Sequence, residues 1–221
     1  VNGYGAIKDF CYDGYNEIYS LGSRKKREYL LATSMQTGKT RVVFCFPKGI
    51  SVGSLAPNQG GGIYLTAAKP SGIIYMDAIT SAEPKISFVM GKRADWKKKL
   101  GKKKIVEEKE AVKWDTAASQ ISLTGDGTYS LLVRKQGQAT GVCVQLDSKK
   151  RGLNVVMTSK FGGNAANTVQ VQGEHMILTD MQAGNFAEYD RKGKVTRKFS
   201  YGSPVHSVVK LTLAGVCFYG M

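Results

Sequence analysis

The sequence predicts an all-β protein built from repeated four-stranded units, and three observations predict it. Short β-rich runs recur down the chain: NEIYSLG around Ile18, GGIYLTAA around Ile63, TYSLLVRK around Leu131, HMILTDM around Ile177 and GVCFYGM around Val216. Turn formers punctuate them, with 26 glycines in 221 residues against 5 prolines. Asp-Gly and Gly-rich pairs sit between neighbouring runs, where the positive φ they tolerate lets two strands fold back on each other.

The spacing sets the repeat. Ile18 to Ile63 is 45 positions and Leu131 to Ile177 is 46. Ile63 to Leu131 is 68, one period once a basic stretch of different composition, Gly91 to Lys113, is set aside. Ile177 to Val216 is shorter, at 39.

Each unit has the same plan. First strands are expected over residues 6–12, 50–56, 119–123, 167–171 and 206–213, followed by the turns DG, PNQGGG, TGDG, QGE and AG. Second strands follow, then the polar turns SRKKR, KPSG, KQGQ and MQAGN, then third and fourth strands. The stretch Met176 to Ser200 is the clearest copy. Four short antiparallel strands per about 45 residues is the blade of a β-propeller. Blades are expected near residues 5–48, 50–90, 114–160 and 164–200, with part of a fifth at 205–221, in one domain over 1–221 with a basic insertion at 91–113. Such a chain is either a small, irregular five-bladed ring or an incomplete one, to be closed by a partner or by sequence elsewhere. The start at Val1 also leaves room for a longer N-terminal region.

Third strands end in IYMD, VQLD and AEYD, placing Asp77, Asp147 and Asp190 where a carboxylate caps the next turn. With these residues the chain resembles WD-repeat and NHL-type propellers. The last full unit, LTDMQAGNFAEYDRKGK, matches the NHL pattern at Asp180, Asn185, Asp190 and Gly193. The third strands lack a Trp-Asp pair, and the first unit, EYLLATS, lacks the Asp. The resemblance implies a propeller fold and leaves the choice between the two families open.

Composition bounds the function. The net charge of +15 points to a polyanionic or acidic partner: nucleic acid, an anionic membrane surface or an acidic protein. Cys11, Cys45, Cys143 and Cys217 form no CxxC pair, and with only His175 and His206 beside them no metal site and no cofactor are expected. Free thiols inside apolar runs suggest an intracellular setting, cytoplasm or nucleus. No apolar run approaches the ~18 residues of a transmembrane helix.

Reaction motifs are weak. Thr37–Thr40, TGKT, lacks the P-loop glycine four residues earlier and leads into VVFCF, a strand, so it reads as a hairpin turn. There is no GxSxG elbow, and both histidines begin strands, so no catalytic residue and no enzymatic activity are expected.

The basic residues carry the functional signal. A propeller sorts its loops onto two ends, and the loops between second and third strands share one end with those between blades. On that end fall Arg24, Lys25, Lys26, Arg27, Lys69, Arg134, Lys135 and the insertion, which holds ten Lys and Arg against four acids, Lys97, Lys98, Lys99, Lys102, Lys103 and Lys104 among them. Such an end would bind phosphate backbones through counterion release. Within the insertion, residues 94–112 hold good helix formers, and Trp96 is either an exposed partner anchor or packed on its own blade. The expected function is a non-enzymatic scaffold in a larger complex, contacting RNA or another polyanion. Alternatives are an adaptor for an acidic protein and a propeller hydrolase or lyase.

Overall fold

A computed structural model describes residues 3–58, 61–77, 79–80, 83–91, 93–101, 105–106, 116–117, 121–123, 129–134, 140–147, 152–160, 168–172, 175–180, 184–190, 192–200, 202, 205–211 and 215–220. The first blade comprises β1 (Asp9–Tyr12), β2 (Glu17–Arg24), β3 (Arg27–Ser34) and β4 (Thr40–Cys45). The second comprises β5 (Ser51–Pro57), β6 (Ile63–Lys69), β7 (Ser71–Asp77) and β8 (Lys85–Gly91). Helix α1 (Arg93–Leu100) and the short strands β9 (Ile105–Val106) and β10 (Thr116–Ala117) come next. Then follow β11 (Ser122–Leu123), β12 (Tyr129–Arg134), β13 (Thr140–Asp147) and β14 (Gly152–Lys160). The fourth blade is β15 (Thr168–Gln172), β16 (His175–Asp180), β17 (Asn185–Asp190) and β18 (Val195–Ser200), and the chain ends in β19 (Val205–Leu211) and β20 (Gly215–Gly220).

The strands pair as antiparallel meanders in chain order, β1 to β4, β5 to β8, β11 to β14 and β15 to β18, with β19–β20 a hairpin and β9 added to β8 in parallel. The protein is therefore all-β and propeller-like, with four four-stranded blades and part of a fifth. The chain divides into two compact units, Val1–Ala117 with Asp147–Gly152, and Ala118–Leu146 with Leu153–Met221.

In the first unit the two-residue period of each strand makes the core. Tyr19 and Leu21 of β2 pair in register with Ala32 and Leu30 of β3. Ile63 and Leu65 of β6 pair with Met76 and Ile74 of β7. All eight are buried in one cluster with Phe46, Ile50, Ile86 and Phe88, so the apolar faces of the first two blades meet. Each such side chain contributes roughly 1.5–3 kcal/mol by leaving water. Polar ties cross the same junction. Asp9 Oδ2 accepts the Leu55 N–H at 2.9 Å, and burial pushes this carboxyl up against the opposing pull of that bond. Arg41 donates to Glu17 Oε2 at 2.8 Å and to the Ile79 carbonyl at 3.2 Å.

Cys11 faces this core from β1. Burial, with Asp9 and Asp13 nearby, pushes its thiol up to about 12. We predict that native Cys11 resists iodoacetamide at neutral pH and reacts once the chain is unfolded in urea, because only the thiolate attacks. Peptide mass spectrometry checks this; rapid native alkylation of Cys11 would contradict its placement.

The β3–β4 connection bears out the hairpin reading of TGKT. Gly38 has φ 66°, its N–H meets the Ser34 carbonyl at 2.9 Å, and a strand follows. Asp190 behaves as a turn cap, its Oδ1 accepting the N–H groups of Lys192 and Lys194 at 2.9 Å each. Asp13, which the third-strand pattern does not reach, caps the β1–β2 turn in the same way, accepting from Tyr15, Asn16 and Glu17. Asp77 ends β7 opposite Lys85. The Asp147 side chain lies outside the described residues.

The insertion is helical over Arg93–Leu100, with Asp95 in the first turn and Lys97, Lys98 and Lys99 in the last, a charge order that suits the helix dipole. Gly101 at φ 79° closes it, its N–H on the Lys97 carbonyl at 2.9 Å. Trp96 takes the second of the two placements open to it, packed within the protein. It is 0% exposed, so it is no surface anchor. Its Nε1 donates to the Ser71 carbonyl at 3.2 Å. Gly72 of β7 leaves the room: a Cβ there would come within 2.9 Å of Nε1.

In the second unit, Leu178 and Phe186 are buried from adjacent strands of the fourth blade, and Val133 of β12 is fully buried.

Candidate functional site

Arg24, Lys25, Lys26 and Arg27 form the β2–β3 hairpin tip of the first blade, and all four are exposed. Arg24 pairs with Arg27, leaving a two-residue turn in which Lys25 and Lys26 have φ of 50° and 60°. Right-handed strand twist favours such a turn, but side chains other than Asn and Gly resist it by roughly 1–2 kcal/mol per residue. Exchanging Lys25 for Asn and Lys26 for Gly should therefore stabilise the chain by about 1–2 kcal/mol, read from the urea midpoint. An unchanged or lowered midpoint would contradict the turn geometry.

The hairpin tip shares its end of the unit with other cations. The Phe46 N–H meets the Glu28 carbonyl at 2.9 Å, which sets the β4–β5 connection beside the base of the tip. That connection carries exposed Lys48. The Lys99 ammonium reaches it, since a Cβ on Gly49 would lie 2.9 Å from Lys99 Nζ. The bond from Trp96 to Ser71 fixes α1 to the start of β7, next to exposed Lys69. Lys98 is exposed on the same helix and Lys97 half-buried. Of the nearby acids, Glu28 is paired with Lys8 and Asp95 is in the first turn of α1.

Two tyrosines stand at the root of the tip. Tyr4 and Tyr29 meet edge to face at 5.1 Å, and the Arg24 guanidinium lies 5.8 Å from the Tyr4 ring centre. The tip is thus joined to an aromatic base.

Of the sequence-predicted residues, Arg24, Lys25, Lys26, Arg27, Lys69, Lys97, Lys98 and Lys99 come together on this end. Arg134 ends β12 in the second unit, and its side chain, with Lys135, Lys102, Lys103 and Lys104, lies outside the described residues. Lys48 was missed; its signal was the PKG turn between blades.

In the second unit His175 Nδ1 lies 2.9 Å from Glu188 Oε1, and Arg197 Nε lies 3.7 Å from Glu188 Oε2. No group of three His, Cys, Asp or Glu able to hold a metal occurs among the described residues. Among them also, no helix is long and apolar enough to cross a membrane.

No protein-family model and no curated protein matches the chain. Solved structures do match. A catalytically inactive virginiamycin B lyase from Staphylococcus aureus with quinupristin superposes with a TM-score of 0.62 at 10% identity, covering 100% of this chain and 65% of that one. The Saccharomyces cerevisiae protein Sqt1 gives 0.51 at 14% identity, covering 94% and 53%. A chain of the mitotic checkpoint complex gives 0.57 at 8% identity, covering 97% and 56%. The chain thus spans between about half and two thirds of these neighbours' lengths. At such identities the likeness establishes the propeller fold, and the finer resemblance to WD-repeat or NHL-type families gains no sequence match. It also overturns one expectation. The fold is shared with a lyase as well as with a chain of a complex, so the expectation of no enzymatic activity does not stand.

Proposed function

We propose that the chain is a polyanion-binding propeller whose first unit uses its basic end to hold an RNA or another extended phosphate polymer. The observation that carries this reading is the cluster formed by Arg24, Lys25, Lys26, Arg27, Lys48, Lys69, Lys98 and Lys99 on one end, with the charges carried by three connections and one helix. Cations spaced across several loops can each neutralise a separate phosphate, and the counterions they release drive binding. The test is RNA binding at low and moderate salt by the unmodified chain and by a variant with Arg24, Lys25, Lys26 and Arg27 all changed to Glu. Tight, salt-sensitive binding that the variant loses supports the reading. No binding at low salt overturns it, and an acidic protein then becomes the partner to seek.

A second reading, a propeller lyase, is favoured by one observation. Glu188 Oε1 stands 2.9 Å from His175 Nδ1, a carboxylate beside an imidazole, the kind of pair that acid–base catalysis uses. Quinupristin, the compound named with the neighbouring lyase, is the substrate to try. Turnover abolished in His175→Ala would support this reading; unchanged quinupristin after long incubation would count against it.

A further inference from the structure

The outer edge of the fourth blade is open. β18 is the last strand of its sheet, and among the described residues it pairs on one side only, with β17. Every residue from Thr196 to Ser200 is exposed. The matching strand of the second blade differs. β8 is buried over Ile86–Met90, and its outer edge carries β9, a piece of the insertion that pairs in parallel through Ile86 with Ile105 and Ser87 with Val106. An outer blade edge of this protein therefore accepts an added strand. A terminal strand offers unpaired backbone N–H and C=O groups, a template on which another extended chain can lie.

We propose that β18 binds an extended acidic peptide of a partner protein as an added strand of the fourth blade. The side chains select this occupant. The register is regular over Arg197–Ser200, so Arg197 and Phe199 stand on one face and Lys198 and Ser200 on the other. The Arg197 side chain is 71% exposed and Phe199 50%. Exposed Lys192 and Lys194 add positive charge from the turn before the strand. The carboxylates beside them are half-buried and already engaged, Glu188 with His175 and Arg197, Asp190 with the N–H groups of its own turn. A second copy of this chain laid β18 against β18 would bring these cations together, and like charges on adjacent strands repel. A nucleic acid would meet the cations but offers no ladder of backbone donors and acceptors for the strand edge. A peptide with a carboxylate beside Lys198 and an aliphatic residue beside Phe199 satisfies the edge, the charge and the exposed ring together. The site belongs to the second unit and does not depend on the polyanion reading of the first.

The probe is a short capped peptide of alternating glutamate and valine, titrated against the unmodified chain in about 150 mM salt to screen the net charge. Saturable binding is expected, with amide hydrogen exchange slowed across residues 195–200 and unchanged in β2. The same peptide N-methylated at every backbone amide keeps its charge and should not bind, and neither should a version with lysine in place of glutamate. Lys198→Glu should weaken binding about fivefold to tenfold, since it removes one cross-strand attraction and adds a repulsion. Lys39→Glu makes the same change of net charge in the first unit and should leave binding intact. If circular dichroism shows that Lys198→Glu does not fold, Lys198→Gln replaces it, with a smaller loss. No saturable binding up to about 1 mM overturns the proposal. So does binding that the N-methylated peptide retains, that falls equally in the two variants, or that excess RNA displaces, because each reduces it to general attraction between charges. RNA binding at the basic end can fail while the peptide still binds, so the two readings fail separately.

Discussion

Replacing Trp96 with alanine should cost about 3–5 kcal/mol of stability, the largest effect of any single substitution considered. The indole is fully buried in the core of the first two blades and its Nε1 satisfies the Ser71 carbonyl. Truncation removes the largest fully buried side chain, opens a cavity against Gly72, and leaves a carbonyl without that donor. The helix suffers as well. Eight residues do not form a stable helix in water, and Trp96 and Leu100, four positions apart, are the residues that α1 buries. Hydrogen exchange across residues 93–100 should therefore accelerate more than exchange in β2 or β3. Trp96→Phe keeps most of the apolar volume and should lose only about half as much stability. Urea unfolding checks the order of the three proteins. A loss below about 1 kcal/mol for Trp96→Ala would mean that the ring is not a core residue. Since Trp96 positions Lys97, Lys98 and Lys99, the same variant should also weaken polyanion binding a few-fold.

The contrast between Trp96 and the strands explains what the sequence made legible. The apolar alternation of β2 and β6 and the glycines at their ends are local signals, so the blades could be counted from residues alone. The cap at Asp190 was legible for the same reason: its partners, Lys192 and Lys194, are two and four positions away. Burial of Trp96 depends on Ser71 and Gly72, with Ser71 25 positions away in sequence. No window of sequence around a basic helix contains that information. The facing of β1 was hidden differently. DFCY reads as a strand whichever face is wet, and the register with β2 decides that Cys11 goes inward and Phe10 outward. For the candidate site, residue types and loops were legible, since a blade plan assigns each turn to an end. The left-handed Lys25–Lys26 turn was not, because that conformation favours Asn and Gly and lysine gives no hint of it. A backbone strained at a charged hairpin tip is an observation from which function is reasonably sought. Catalysis was misjudged because absent motifs were read as an absent reaction, while the fold also serves a lyase.

Changing Arg24, Lys25, Lys26 and Arg27 together to Glu should lower RNA affinity by about 100-fold or more at low salt, as each exposed cation on a phosphate contributes roughly 0.5–1 kcal/mol and reversal adds repulsion. Salt gives a sharper reading than affinity. Four cations on a single strand account for a slope of about −3 in log affinity against log salt, so affinity attributable to them falls about 50-fold between 50 and 200 mM. The variant should lose that part of the slope. Net charge alone must be separated from position, because the substitution takes the chain from +15 to +7. A second variant with Lys39, Lys192, Lys194 and Lys198 changed to Glu reaches the same +7 at exposed positions outside the cluster. If position matters, this control keeps most of the affinity and nearly all of the slope. Equal losses in the two variants would show that the chain attracts polyanions only through its total charge, and the basic end would not be a site. Stacking on Tyr4 and Tyr29 would add a component that salt does not remove, so a residual affinity at high salt, lowered by Tyr4→Ala, would favour single-stranded RNA over a polyanion without bases.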